Sequence, residues 1–159
     1  MAEPPALDVA AAHRHFSAHC FNRAWDLIEK DDRTAEDDRL MVALSQASIF
    51  HWTERPDCTA RNMSIGYWQA SRIAALVGDA AGAARHAETC MAHSADLLPF
   101  YRGYANEAVA RAALLEGDDS RAAANLAAAE ALLSQISRQE DRERLAADLA
   151  QLRGAVVKV

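Results

Sequence analysis

Apolar positions recur at helical spacing along almost the whole of this chain. Phe16, Cys20, Ala24, Leu27 and Ile28 make one stripe, and Phe21 and Trp25 widen it. Steps of three and four residues place such positions on one side of a helix. They predict a first helix from Leu7 to Lys30, ended by the charged turn Asp31-Asp32-Arg33. Thr34, with Asp37 three residues on, then reads as an N-cap close to a capping box. The second helix, Ala35 to Glu54, carries Leu40, Met41, Val42, Leu44, Ile49, Phe50 and Trp52. These point in most directions, so this helix is expected to be central or covered by a second subunit. Trp25, Phe50 and Trp52 are accordingly expected in the core. Arg55-Pro56-Asp57 stops the helix, because proline biases its predecessor away from helical backbone.

Four more helices follow as two pairs. The third and fourth, Ala60 to Val77 and Ala80 to Ala95, join at Gly78-Asp79. The fifth and sixth, Leu98 to Glu116 and Asp119 to Gln135, join at Gly117-Asp118. In each turn glycine supplies a left-handed residue after one helix and aspartate caps the next. Ser137 with Glu140 reads as a capping box for a seventh helix, whose Leu145, Leu149, Leu152 and Val156 form a single apolar stripe. One apolar face opposite a solvated one suits a helix that closes an array.

The two pairs also repeat each other. Ser71-Arg72-Ile73-Ala74-Ala75-Leu76-Val77-Gly78-Asp79 is matched by Ala110-Arg111-Ala112-Ala113-Leu114-Leu115-Glu116-Gly117-Asp118, displaced by 39 residues. Ala83-Ala84 and Ala122-Ala123 continue the match, and seven of the twenty positions from 71 to 90 are identical. Repeats of this length, helical on both sides of a turn, mark an α-solenoid.

Composition narrows the function classes. The 159 residues are 51% hydrophobic and carry a formal charge of −6. Abundant alanine favours helix over strand. An acidic balance argues against nucleic acid and against an anionic membrane surface, since both demand basic faces. Met41 to Thr53 is the longest strongly apolar uncharged run and falls short of the ~20 residues a bilayer requires. Met1-Ala2-Glu3-Pro4-Pro5 lacks the basic and apolar regions of a secretory signal. Cys20, Cys58 and Cys90 are widely spaced and read as free thiols. A cytoplasmic protein is the resulting expectation.

On these residues the chain resembles the tetratricopeptide repeats. That family turns its helix pair at a Gly-Asp step, as at Gly78-Asp79 and Gly117-Asp118, and sets a small residue early in the second helix, here Ala83 and Ala122. A later small packing position falls on Cys90 and Ala129, the small crossing residue on Ser71 and Ala110, and the aromatic position on Tyr67 but then on Asn106. The resemblance covers Met63 to Leu133, with a period of 39 residues against about 34 in the family. The first helix pair lacks the Gly-Asp turn. The whole is also similar to small uncharacterised bacterial helical proteins of tetratricopeptide-like fold, which brings no activity with it. The resemblance implies one all-α domain over 1–159, a tetratricopeptide-like α-α superhelix of about three helix pairs with a C-terminal capping helix.

It also implies a concave groove lined by the first helix of each pair, which binds a protein or peptide. Trp68 and Arg72, then Tyr104, Glu107 and Arg111, fall on that face, and Asn22 and Asp26 (with Glu29) are candidates from the first helix. Arginine captures carboxylates with two hydrogen bonds, and a neighbouring aromatic anchors apolar groups. The alternative is that Arg72 and Arg111 pair internally with acidic neighbours.

A second constellation is His86, Cys90 and His93, on one side of the fourth helix and of the right chemistry for zinc. Against it, Cys90 sits on the repeat's small packing position, and no fourth ligand is evident. His15 and His19 make another pair four residues apart. His51 is a group able to move protons near neutral pH. No motif for nucleophile elbow, zincin, phosphate loop or dinucleotide binding occurs. A binding scaffold without cofactor, rather than an enzyme, is therefore the expectation. The alternative is a small-ligand or metal-binding helical protein, catalytic or not. Self-association through the second helix, giving a homodimer, is a further reading.

Overall fold

A computed structural model describes residues 8–156, which fold into seven α-helices with no strand among them. They are α1 Val9–Ile28, α2 Ala35–Thr53, α3 Ala60–Leu76, α4 Ala80–Ser94, α5 Pro99–Glu116, α6 Asp119–Leu133 and α7 Gln139–Val156. The expected start at Leu7 and the leader reading of Met1 to Pro5 lie outside the described residues, as does the side chain of Val156. None of the helices is long and apolar enough to cross a membrane. The chain forms two compact units, one ending at Cys58 and one beginning at Thr59.

In the N-terminal unit α1 and α2 are antiparallel neighbours. Cys20, Ala24 and Ile28 of α1 are buried, as are Met41, Leu44 and Ile49 of α2. The helices are also tied by polar groups. The Ser48 hydroxyl donates to the Ser17 carbonyl at 2.7 Å, and Arg55 Nη1 donates to the Ser17 hydroxyl at 2.8 Å. Thr34 and Asp37 complete the capping box at the start of α2. Phe50, expected in the core, and Phe16 of the apolar stripe both stand at the surface. Phe16 is 42% and Phe50 54% exposed. A two-helix unit has one internal face, and Ser45 and Ser48 occupy part of the α2 side of it. Trp25 and Trp52 are half-buried, with the Arg55 guanidinium 3.8 Å from the Trp52 ring centre.

In the C-terminal unit the two Gly-Asp turns are built alike. Gly78 has φ +80° and Gly117 φ +76°, the left-handed region that glycine enters without penalty. The amide of Asp79 reaches back to the carbonyl of Ala74, and that of Asp118 to Ala113, both at 2.9 Å. The amides of Gly78 and Gly117 bond Ala75 and Leu114, both at 3.2 Å. This is the Schellman pattern, which satisfies the last carbonyls of a helix. Each aspartate then caps the following helix, Asp79 through the Gly82 amide at 2.8 Å and Asp118 through the Arg121 amide at 2.9 Å. The paired small positions are fully buried: Ser71 and Ala110, Ala83 and Ala122, Cys90 and Ala129.

α3 runs beside α5, and α7 packs on α5 and α6. Leu145, Leu149 and Leu152 of α7 join Tyr104, Leu126 and Ile136 in the main core, as the single apolar stripe requires. α7 begins at Gln139 rather than directly after Ser137. Arg142 Nη1 donates to the Ile136 carbonyl at 2.9 Å at this junction.

Candidate functional site

The repeat places Trp68 and Arg72 on α3 at the positions that Glu107 and Arg111 hold on α5. Because the two helices lie side by side, the equivalent residues Trp68 and Glu107 meet. The indole Nε1–H of Trp68 donates to Glu107 Oε2 at 2.9 Å, and Arg111 Nε donates to Glu107 Oε1 at 3.0 Å. Arg111 Nη2 also donates to Oε1, which closes the ion pair within α5. Glu107 is fully buried. A carboxylate out of water survives only when its lone pairs are taken up in this way.

An aromatic run continues from this pair. Trp68 meets Tyr104 edge-on at 5.1 Å, and Tyr104 meets Phe100 edge-on at 5.1 Å. The Tyr104 hydroxyl donates to Asp148 of α7 at 2.8 Å. Burial, followed by that bond to a carboxylate, raises the phenol far above its ordinary range. Tyr104 and Glu107 are therefore internal supports and do not line an open groove.

The surface beside them is a hollow of about 290 Å³. Arg72, Ala75 and Leu76 of α3 line one side and Arg111, Leu114 and Leu115 of α5 the other, with Leu152 and Ala155 of α7 at the end. The lining residues of α3 and α5 are again repeat equivalents. Arg72 matches Arg111, Ala75 matches Leu114, and Leu76 matches Leu115. Leu76 and Leu115 are 41% and 42% exposed. The Arg72 guanidinium stands 5.8 Å from the Trp68 ring centre, a cation–π distance.

No protein-family model matches this chain, and no curated protein or solved structure is detectably similar to it.

Of the groove residues expected from sequence, Trp68, Arg72, Tyr104, Glu107 and Arg111 come together. Asn22 and Asp26 are exposed on α1 in the other unit, and the cluster does not include them. The ion pair of Arg111 with Glu107 realises the internal alternative for one of the two arginines. Sequence reasoning missed the leucines and the end wall from α7. The signal for Leu76 and Leu115 was present, since each lies one turn beyond a repeated arginine. The contribution of α7 had no local signal.

Among the described residues no three His, Cys, Asp or Glu side chains gather as metal ligands. Cys90 is turned inward, where its thiol donates to the Ser64 carbonyl at 3.3 Å. Burial pushes this thiol up to about 11. A serine pair packs beside it, Ser64 Oγ lying 2.7 Å from Ser94 Oγ. His86 and His93 instead flank the Tyr67 ring at 5.9 and 5.8 Å. Burial and the nearby Arg85 hold His86 below the ordinary imidazole range. In the N-terminal unit His15 and His19 are exposed, with rings stacked at 5.1 Å. His51 Nδ1 lies 2.9 Å from His13 Nδ1, and burial followed by the His13 charge lowers its pKa.

Proposed function

We propose that the chain is a tetratricopeptide-like helical scaffold that holds a protein or peptide partner on the α3–α5 face. The observation that carries this reading is the Arg72–Arg111 hollow. It sets the guanidiniums of Arg72 and Arg111 beside leucines, and the lining from α3 and α5 consists of repeat equivalents. Its volume of about 290 Å³ lies at the lower end of small-molecule pockets. That size suits one or two side chains of a longer ligand. Exposed leucines beside the Arg72 guanidinium match a segment that offers an apolar side chain next to a carboxylate. The Trp68–Glu107–Arg111 network supports the hollow from below, so its walls are fixed before any partner arrives, which lowers the entropy lost on binding. The acidic balance and free thiols support a cytoplasmic setting without nucleic acid.

The test uses substitutions that leave Glu107 paired. A chain carrying R72A, L76S and L115S should keep its helical circular dichroism and lose the partners that co-purify with the wild-type chain. Retention of every partner by the folded triple variant excludes this face.

A further inference from the structure

The N-terminal unit carries four of the six histidines, and two of them meet across the helix pair. His13 lies in the second turn of α1 and His51 in the last turn of α2. The helices are antiparallel, so the two residues are level, and their Nδ1 atoms stand 2.9 Å apart. Two neutral imidazoles approach this closely in one of two ways. One Nδ1–H donates to the other Nδ1 lone pair, or both lone pairs converge on a cation. Metal–nitrogen bonds of about 2.0–2.1 Å put two cis nitrogens about 2.9 Å apart at a right angle, and about 3.3 Å apart at the tetrahedral angle. The observed spacing is that of the hydrogen bond, and a shared ion would leave the two nitrogens almost where they stand. Imidazole donors suit nickel(II), copper(II) and zinc alike, and copper(II) stands highest in the general order of affinity.

The surroundings hold the rings in place. Phe16 lies 5.4 Å from the His51 ring, and Phe50 lies 5.3 Å from His51 and 6.0 Å from His13. This gives the two exposed phenylalanines a role that the core does not. Both histidines are half-buried, so one side of the pair is walled and the other open.

We propose that His13 and His51 form a two-imidazole site for a divalent transition metal of the copper or nickel class. The ion replaces the proton between the rings and ties α1 to α2. The ring that held its proton on Nδ1 moves it to Nε2, so both imidazoles stay neutral and no proton is released overall. The remaining coordination positions are filled by water. The site is an open chelate and not a closed structural cage.

The test is a titration of Ni²⁺, then Cu²⁺, into the full chain purified without a histidine tag, followed by calorimetry and by thermal unfolding. One ion should bind per chain and raise the unfolding temperature. H13N and H51N should each weaken binding by more than about tenfold and remove that rise, because a ligand stabilises only the state it binds. H15N/H19N should leave both intact, since those histidines share one helix and cannot join two. Absence of saturable binding to the wild-type chain overturns the proposal. So does binding that survives H13N and H51N but is lost in H15N/H19N. If H51N loses helix content, H13N alone decides the matter.

Discussion

The α3–α4 and α5–α6 hairpins share the same left-handed turn and the same Schellman and capping hydrogen bonds, yet they differ where they touch. Gly78-Asp79 and Gly117-Asp118 have the same left-handed glycine, the same back-bonded amides and the same aspartate cap. Side chains on the shared first-helix face have diverged into complementary partners. Trp68 in one hairpin answers Glu107 in the other, and they bond to each other. Identical residues at that position would bring two indoles or two carboxylates together, and neither pair could form this bond. A repeated backbone thus sets the geometry, and an unrepeated side chain locks the copies together. Among the interior small positions, Cys90 brings a thiol to a place where Ala129 brings nothing that titrates.

The largest expected effect comes from removing the lock. Glu107→Ala leaves Arg111 and the Trp68 indole without their buried acceptor, and should destabilise the chain by about 3–5 kcal/mol in urea unfolding. Glu107→Gln keeps an acceptor for Trp68 and should lose less. A loss under about 1 kcal/mol for the alanine variant would mean that the copies are held together by apolar packing alone.

A smaller effect separates Cys90 from Ala129. The folded thiol titrates at about 11, above the unfolded value of 9.0. Its contribution is therefore complete below pH 9 and disappears as pH rises through 11. The full extent is about 3 kcal/mol. Cys90→Ala should remove this part of the alkaline loss, making the α4 position behave like that of α6. Equal alkaline slopes in both proteins would show that the thiol is exposed before it ionises.

The glycines should give the smallest and most symmetric effect. Gly78→Ala and Gly117→Ala each force a Cβ into left-handed backbone, at about 1 kcal/mol. Nothing lies within 4 Å of a Cβ built at either site, so packing adds no difference between them. Unequal losses in thermal unfolding would break the equivalence of the two turns.

Helix positions and turns were legible because their causes are local. Thr34, Asp79 and Asp118 cap where their chemistry predicts, and the first six helices begin and end within two residues of their expected positions, the start of α1 aside. Two caps went unread: Asp8 accepts from the Ala11 amide at the start of α1, and Thr59 and Asn62 form a full capping box at α3, with asparagine in place of the usual acid. Burial was legible where a helix has one apolar stripe, as in α7. It was less so for the N-terminal pair: Cys20, Ala24 and Ile28 of the α1 stripe are buried but Phe16 is not, and Phe50 of α2 read as core and stands exposed.

Of the candidate site, five residues could be named from the resemblance to the tetratricopeptide repeats and its register on this chain. Register says which positions are equivalent, and it does not say which of them face each other. Glu107 read as a groove residue and is a fully buried support. The amino-acid sequence alone determined the helices, the two matched turns and the small positions inside each hairpin, because these depend on backbone sterics and neighbours within one turn. The tertiary structure alone decided that Trp68 bonds Glu107, that Asp148 of α7 holds Tyr104, and that His13 meets His51. Those contacts join residues 38 to 44 positions apart, and only the packing of whole helices sets such distances.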